Sequence, residues 1–281
     1  MSKKILKLLM IGILSISMVA CSTAEKDNDS FKSSNSIEKI TLVTTTSLED
    51  TGFLEDTLNA FEKENNVKVD VVAKGTGEAL ELGKRKDADI LFVHSKEKEE
   101  EFINDGYGVD RTEIMYNYFI VVGPKDGEHN ATMKNMNAQD AFKYIKENNL
   151  PFISRGDNSG THNKELALWE KSGVTSEFYN YKEVGKGMGA TLQMASEMEA
   201  YTLTDIGTYL ATKENLDLEI VKDADNSLKN VYAMVTISEL DKKVEDMTNK
   251  LVEYYKSDKV QQQIKEYGVV KYGEPLFCTF E

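Results

Sequence analysis

Ile40-Thr41-Leu42-Val43-Thr44-Thr45-Thr46-Ser47 decides the fold. An apolar run of strand character gives way to four consecutive hydroxyl residues, and residues 51–61 behind them read as helix. A strand that turns into a helix leaves the first N–H groups of the helix without partners, and hydroxyls beside them are further donors aimed at one spot. Such a spot is either an ordinary N-cap or an anion site. A second stretch has the same build and adds an arginine: Phe152-Ile153-Ser154-Arg155-Gly156-Asp157-Asn158-Ser159-Gly160-Thr161. It is a short apolar strand that runs through a small-residue turn into a helix. Two such junctions can face each other.

Outward from Ile40, strand and helix alternate. A helix over 53–64 puts Phe53, Leu54, Leu58 and Phe61 on one face, and a β-branched strand over 67–72 follows. Lys74-Gly75-Thr76-Gly77 makes a turn into a helix over 78–86; then come a strand over 90–93 and a charged helix over 96–104. Alternation with short turns argues an α/β fold with doubly wound sheets, where ligands collect at the carboxyl ends of strands. The hydroxyl run falls at such an end.

A long apolar and aromatic strand over 115–122 stops at Gly123-Pro124 and reads as a crossing into a second α/β unit. That unit runs through a helix over 138–148, a strand over 152–154 and a helix over 161–171. A glycine-rich turn over 185–189, a helix over 190–199 and a strand over 201–204 complete it. The strand over 231–237 is the return crossing, and helices over 240–255 and 260–267 pack back on the first unit. The expected division is residues 37–122 with 231–281 in one lobe and 123–230 in the other. Two lobes joined by two crossings make a clamp that closes by hinge motion.

Ahead of this lies a targeting segment over 1–21. Lys3, Lys4 and Lys7 precede an apolar core that ends in Met18-Val19-Ala20-Cys21. It is similar to a bacterial lipoprotein signal, in which the cysteine becomes the lipidated first residue. The apolar stretch sits near the low end of the ~17–25 residues that a membrane helix requires. Residues 22–36 are polar and charged and read as a disordered tether. About 245 residues remain for the folded part, enough for two lobes. With Cys21 lipidated, Cys278 is the remaining cysteine, so neither a disulfide nor a cysteine metal site is expected. Cys278 reads as a small buried hydrophobe.

The chain carries a net charge of −14, and −17 once the signal lysines are removed. That excludes nucleic acid and anionic lipid surfaces as natural partners. An anion would have to be held by local donors in a dry cleft, since charges beyond a Debye length of ~8–10 Å are screened. The donors at the two junctions are the hydroxyls of Thr45, Thr46, Ser47 and Ser154, the guanidinium of Arg155, and N–H groups around Ser159, Gly160 and Thr161. Donors without a paired base suit a dianion that carries no proton. Asp157 could accept a proton from hydrogen phosphate, which keeps phosphate in contention. The turn Gly185-Lys186-Gly187-Met188-Gly189 either cradles phosphate or caps the next helix. No nucleophile-elbow, P-loop or metalloprotease motif is present, and His94, His129 and His162 read as surface or loop histidines with no metal spacing.

At these residues the chain resembles the tungstate-binding proteins of bacterial tungstate ABC importers. The resemblance rests on Thr44-Thr45-Thr46-Ser47 with Asp50-Thr51-Gly52, and on Gly75-Thr76-Gly77, Ala88-Asp89, Val93-His94 and Gly106-Tyr107-Gly108-Val109-Asp110-Arg111. Val122-Gly123-Pro124, Ser154 through His162 and Tyr201-Thr202-Leu203-Thr204-Asp205 complete it, and Asn117-Tyr118 departs where Asn-Asp is expected. The resemblance implies a two-lobed type II periplasmic-binding fold. Its function would be capture of tungstate, or molybdate, outside the membrane by a lipid-anchored monomer and transfer to an ABC permease, with no cofactor. Thr45, Thr46, Ser47 and Arg155 would touch the anion, supported by Ser154 and by Ser159, Gly160 and Thr161. The competing readings are a phosphate- or sulfate-type receptor, a phosphate-ester hydrolase with Asp157 and His162 as acid and base, and a membrane-anchored structural protein without ligand.

Overall fold

The computed structural model describes residues 39–223 and 225–280. The lipoprotein signal with Cys21 and the tether lie outside the described residues. The chain opens with β1 (Lys39–Thr45), a single helical turn α1 (Thr46–Glu49), α2 (Phe53–Asn65), β2 (Lys68–Lys74), α3 (Thr76–Lys84), β3 (Ile90–Val93) and α4 (Lys96–Asn104). A long strand, β4 (Gly108–Pro124), leads to α5 (Asn130–Lys134), α6 (Ala138–Glu147), β5 (Phe152–Ser154), α7 (Gly160–Lys171), β6 (Tyr181–Glu183), α8 (Met188–Glu197), β7 (Thr202–Asp205), α9 (Ile206–Thr212) and β8 (Leu218–Lys222). β9 (Lys229–Ile237), α10 (Lys242–Lys256), α11 (Asp258–Glu266) and α12 (Val269–Tyr272) return to the first half.

The seven-stranded sheet has the order β2-β1-β3-β9-β4-β7, with β8 also on β4. β1 pairs in parallel with β2 and β3, while β9 and β4 are antiparallel insertions. β4 pairs with β9 from Gly108 to Tyr118, and from Phe119 onward it pairs with β7 and β8 instead. Tyr118 sits opposite Lys229, so both passages of the chain between the halves run through one ladder position. β5 and β6 form their own parallel pair, attached to the start of β7 by a bridge between Phe152 and Tyr201.

Strands buried on both faces favour apolar residues at successive positions; β3 supplies them throughout, and β1 at Ile40, Leu42 and Val43. Leu42, Ile90 and Phe92 face α2, α10 and α11 through Phe53, Leu58, Leu251 and Ile264, whereas Val43, Leu91 and Val93 face α3 and α4 through Ala79, Leu80 and Phe102. The second half packs around Trp169, whose ring lies 4.5 Å from Phe142 and 5.2 Å from Phe152. Each such large side chain contributes about 1.5–3 kcal/mol on burial.

The periodic elements stand where the alternation put them, with shifted ends. Gly77 lies inside α3 and Gly189 inside α8 rather than in turns, because each helix begins on a residue of the turn itself. The turn α1, the edge strands β6 and β8 and helix α9 were not anticipated. All are short, and none carries a full period of apolar residues. Cys278 is half-buried rather than buried, since its backbone pairs with Tyr116 at the sheet's edge by bonds of 2.9 and 2.7 Å.

Candidate functional site

At the first junction Thr45 leaves β1 in extended geometry and caps α1, its Oγ1 accepting from Leu48 N–H at 3.4 Å. The Thr45 and Ser47 hydroxyls lie 3.3 Å apart, both residues nearly fully buried, while Thr46 is half-buried. Capping uses an oxygen lone pair, so of the two hydroxyl protons one serves the Thr45–Ser47 contact and the other remains to be donated. Thr44 is committed elsewhere, since its hydroxyl donates to the Phe92 carbonyl at 2.8 Å.

At the second junction Ser154 ends β5, fully buried, and its Oγ accepts from Gly156 N–H at 3.2 Å. Gly156 has φ +60°, and a Cβ there would meet the Glu183 Cβ at 2.6 Å, so the turn requires glycine. Arg155 is 5% exposed, and its Nε and Nη2 both donate to Asp157 Oδ2, at 3.1 and 2.6 Å. Its Nη1 has no hydrogen bond among the described residues. Asp157 Oδ1 accepts from Ser159 N–H at 3.1 Å, and Ser159 in turn caps α7, accepting from His162 N–H at 3.3 Å. Gly160 and Thr161 are the first two residues of α7, both buried.

The β5–α7 turn meets two other strand–helix junctions. A Cβ on Gly75 would lie 4.0 Å from Ser159 Cα, and one on Gly77 would lie 3.7 Å from the Asn158 carbonyl oxygen. A Cβ on Gly160 would lie 2.5 Å from His94 Cε1. The β2–α3 and β3–α4 junctions thus press on the β5–α7 turn. The turn after α1 meets the start of α9, where a Cβ on Gly207 would lie 3.7 Å from Thr51 Cγ2. At the first residue of α3, Thr76 is fully buried and its hydroxyl has no hydrogen-bond partner among the described residues. Sequence reasoning read Gly75-Thr76-Gly77 as a turn into a helix and as part of the resemblance, and did not single out Thr76 as a donor. The available signal was a hydroxyl opening a helix directly after a strand, the same signal that singled out Thr45.

The Arg155 charge is felt on both sides. Burial raises the Asp50 and Asp205 carboxyls, and Arg155 partly offsets each rise. For Asp157 burial is outweighed by Ser159 and Arg155, so the carboxyl is held below its ordinary range. Asp157 is therefore an ionised partner of Arg155, and the protein acceptor that hydrogen phosphate would need is already taken.

Of the histidines expected on the surface or in loops, His94 stands in the loop between β3 and α4 but is buried, and His162 is buried within α7. His94 is 8% exposed, with Nδ1 2.9 Å from Asn230 Oδ1, and burial lowers its pKa to about 4. His162 is 6% exposed, and its Nδ1 accepts from Asn158 N–H at 3.0 Å. Both stand at strand–helix junctions, and each junction is covered by the one facing it; a local pattern does not register that cover. With Nδ1 of His162 so engaged and Asp157 tied to Arg155, the two do not form a free acid–base pair. The turn over 185–189 carries the N-cap of α8 at Gly187, and Gly185 N–H donates to the Arg155 carbonyl at 2.8 Å. It holds the second junction from behind. Among the described residues no three His, Cys, Asp or Glu side chains come together as a metal-holding group.

Residues 29–268 match the model of the PBP superfamily domain. The chain is 41% identical over 271 residues to the tungstate-binding protein TupA of Peptoclostridium acidaminophilum, covering 95% of this chain and 94% of that one. It is 38% identical over 238 residues to the tungstate-binding protein TupA of Campylobacter jejuni, covering 82% and 87%. Among solved structures, the tungstate ABC transporter protein of Geobacter sulfurreducens aligns with a TM-score of 0.74 at 43% identity, covering 83% of this chain and all of that one. The tungstate-binding protein of Desulfovibrio alaskensis aligns with a TM-score of 0.74 at 33% identity, covering 87% and 99%.

Proposed function

This chain belongs to the tungstate-binding proteins of the PBP superfamily, and we propose that it captures the tungstate dianion for an ABC importer, with molybdate as its second ligand. It is a binding protein and not an enzyme, and it works without a cofactor. The observation that supports this reading is the meeting of the β5–α7 turn, which carries Arg155, with the β2–α3 and β3–α4 junctions. Thr45, Thr46, Ser47, Ser154, Arg155, Ser159, Gly160 and Thr161 hold the anion, and Thr76 joins them. Helix-opening N–H groups and hydroxyls suit an oxyanion, and a permanently charged guanidinium adds attraction.

Selectivity follows from proton accounting. Tungstate and molybdate are unprotonated near pH 7, so each oxygen can meet a donor. Hydrogen phosphate would leave its proton facing donors, and a missing partner in a buried site is costly. Sulfate is the smaller ion and would fill the same donors less well.

In the same reading residues 37–122 with 231–281 form one lobe, residues 123–230 form the other, and β4 and β9 carry the hinge. Cys21 bears the lipid that anchors a monomer to the membrane outside the cytoplasm, close to the permease that receives the anion. Calorimetric titration of the chain from residue 22 with tungstate, molybdate, sulfate and phosphate tests the proposal. Stoichiometric, tight tungstate binding with weak or absent sulfate and phosphate binding is the expected result. Preference for phosphate or sulfate would make the protein a receptor of that type, and silence with all four would leave the hydroxyl-rich junctions as helix caps only.

A further inference from the structure

We propose that His162 is a positioning residue for the anion site: an uncharged acceptor that holds the Arg155 turn in shape, so that the Gly160 and Thr161 N–H groups stand free for the ligand. This rests on the tungstate-binding reading above and adds to it the residue that shapes the charged junction.

Around the start of α7 the backbone donors divide into two sets. Asn158 N–H donates to His162 Nδ1 at 3.0 Å, Ser159 N–H to Asp157 Oδ1 at 3.1 Å, and His162 N–H to Ser159 Oγ at 3.3 Å. Gly160 and Thr161, the first two residues of α7, make no backbone N–H hydrogen bond among the described residues. An N–H in the first turn of a helix has no intrahelical partner, so these two remain for a ligand. The three bonds on either side of them fix where they point.

That frame depends on Asn158. Its φ is +57°, in the left-handed region that residues other than glycine enter rarely and asparagine most readily. The first turn of α7 holds it by both backbone groups: His162 Nδ1 takes its N–H, and Asn163 Nδ2 donates to its carbonyl at 3.1 Å. The same carbonyl faces the β2–α3 junction, where a Cβ on Gly77 would lie 3.7 Å from it. A turn that left this geometry at Asn158 would shift Asp157, and Arg155 with it, because Nε and Nη2 of Arg155 both donate to Asp157 Oδ2.

The third position of a helix often carries Glu or Gln, whose side chain reaches back to a donor ahead of the helix. His162 holds that position in α7. A glutamate there would set another carboxylate close to Asp157, beside a site meant for an anion, whereas a neutral imidazole accepts without charge. A backbone N–H can only donate, so Nδ1 is bare and the ring proton sits on Nε2. Burial lowers the ring's pKa, which keeps it uncharged near pH 7. The arrangement has a cost. The Nε2 proton is buried without a hydrogen-bond partner among the described residues, and Glu183 Oε1 stands 3.9 Å off. An unmet buried donor is unfavourable, and a side chain kept only to fill space would not bring one.

Three substitutions separate acceptor, charge and volume. His162→Asn puts a neutral oxygen as many bonds from the backbone as Nδ1, and its tungstate affinity by titration calorimetry stays within a few-fold of wild type. His162→Leu fills the space without an acceptor and loses roughly ten-fold or more. His162→Asp accepts the N–H but adds a charge; it binds roughly ten-fold or more weakly than His162→Asn at low salt, and the gap narrows as salt is raised. A merely structural role predicts the opposite order for the first two, since leucine replaces the ring's volume better than asparagine does. In the wild-type protein, proton–nitrogen correlation spectra of the ring at neutral pH place the proton on Nε2. A proton on Nδ1, a His162→Leu protein that binds as tightly as His162→Asn, or equal affinities in His162→Asn and His162→Asp would overturn the proposal. A wild-type chain that binds no tungstate would overturn the binding reading itself, and this inference with it, even with the proton on Nε2.

Discussion

The two hydroxyl-rich junctions differ in the strands they grow from and in charge. The first grows from β1, a seven-residue strand with parallel partners on both sides, and offers only neutral hydroxyls and N–H groups. The second grows from β5, a three-residue strand paired with β6 and joined on its other side by a bridge between Phe152 and Tyr201, and its turn contains two residues of positive φ, Gly156 and Asn158. It also carries the charge. Neutral donors need no compensation when the cleft is empty, so they can be built onto a strand inside the sheet. A buried guanidinium needs a carboxylate beside it, and a turn can bring one within two residues, as Asp157 does. In the proposed reading the neutral junction would position the anion, and the charged one would supply the attraction.

Arg155→Ala breaks this division most directly. It removes the charge and leaves Asp157 facing the anion, and the loss of tight binding is expected to be about 3–5 kcal/mol, a few hundred-fold or more, in a protein whose circular dichroism is unchanged. Comparable affinity in the variant would move the attraction to the first junction.

Proton linkage separates the two sides by sign. Behind Ser154, Glu165 is 2% exposed, accepts from Trp169 Nε1 at 3.0 Å and Tyr181 hydroxyl at 2.9 Å, and burial raises it to about 7. A carboxyl raised above its ordinary 4.5 favours the folded state below that value, and the contribution is lost as pH rises towards 7, worth about 3 kcal/mol. His94, lowered from 6.5 to about 4, works the other way, and its contribution is present above 6.5 and lost as pH falls to 4. Chemical denaturation between pH 4 and 8 should show stability falling on the acid side in Glu165→Gln and falling on the alkaline side in His94→Gln. Parallel profiles for the two variants would refute the assignment.

Thr76→Val sharpens the comparison within the first half. Replacing an unpartnered buried hydroxyl by a methyl should leave the ligand-free protein as stable or slightly more so, while tungstate affinity drops by about 1–2 kcal/mol. A loss of stability without a loss of affinity would assign the hydroxyl to the fold. The smallest effect is expected of Thr45→Ala, which removes the cap of α1 for about 1 kcal/mol of stability and weakens binding severalfold, measured by denaturation and titration together.

Much of this was legible in the chain. The helix over Lys96–Asn104 and the strands at Ile90–Val93 and Phe152–Ser154 stand at the expected residues, because apolar periodicity reports which face is buried. β4 was anticipated from residue 115, yet it begins at Gly108. Its first part is polar and alternates poorly, and pairing with β9 rather than composition makes it strand. Thr45 and Ser159 stand as helix caps at the junctions where they were expected, because cap chemistry is local. The expectation of surface or loop histidines did not foresee that His94 is buried in its loop and His162 in α7, and Thr76 went unnoticed, because burial by residues distant along the chain leaves no local pattern.

The division between sequence and structure follows the same line. Alternation of strand and helix, the hydroxyl-rich junctions and the arginine in the second turn are properties of neighbours along the chain, so the residues by themselves determined them. That Arg155 spends two of its donors on Asp157 and keeps Nη1, and that Gly160 lies against a ring held by a partner 136 positions further along the chain, were decided by tertiary packing alone. These are distances between surfaces brought together when the sheet closes, and no local pattern carries them.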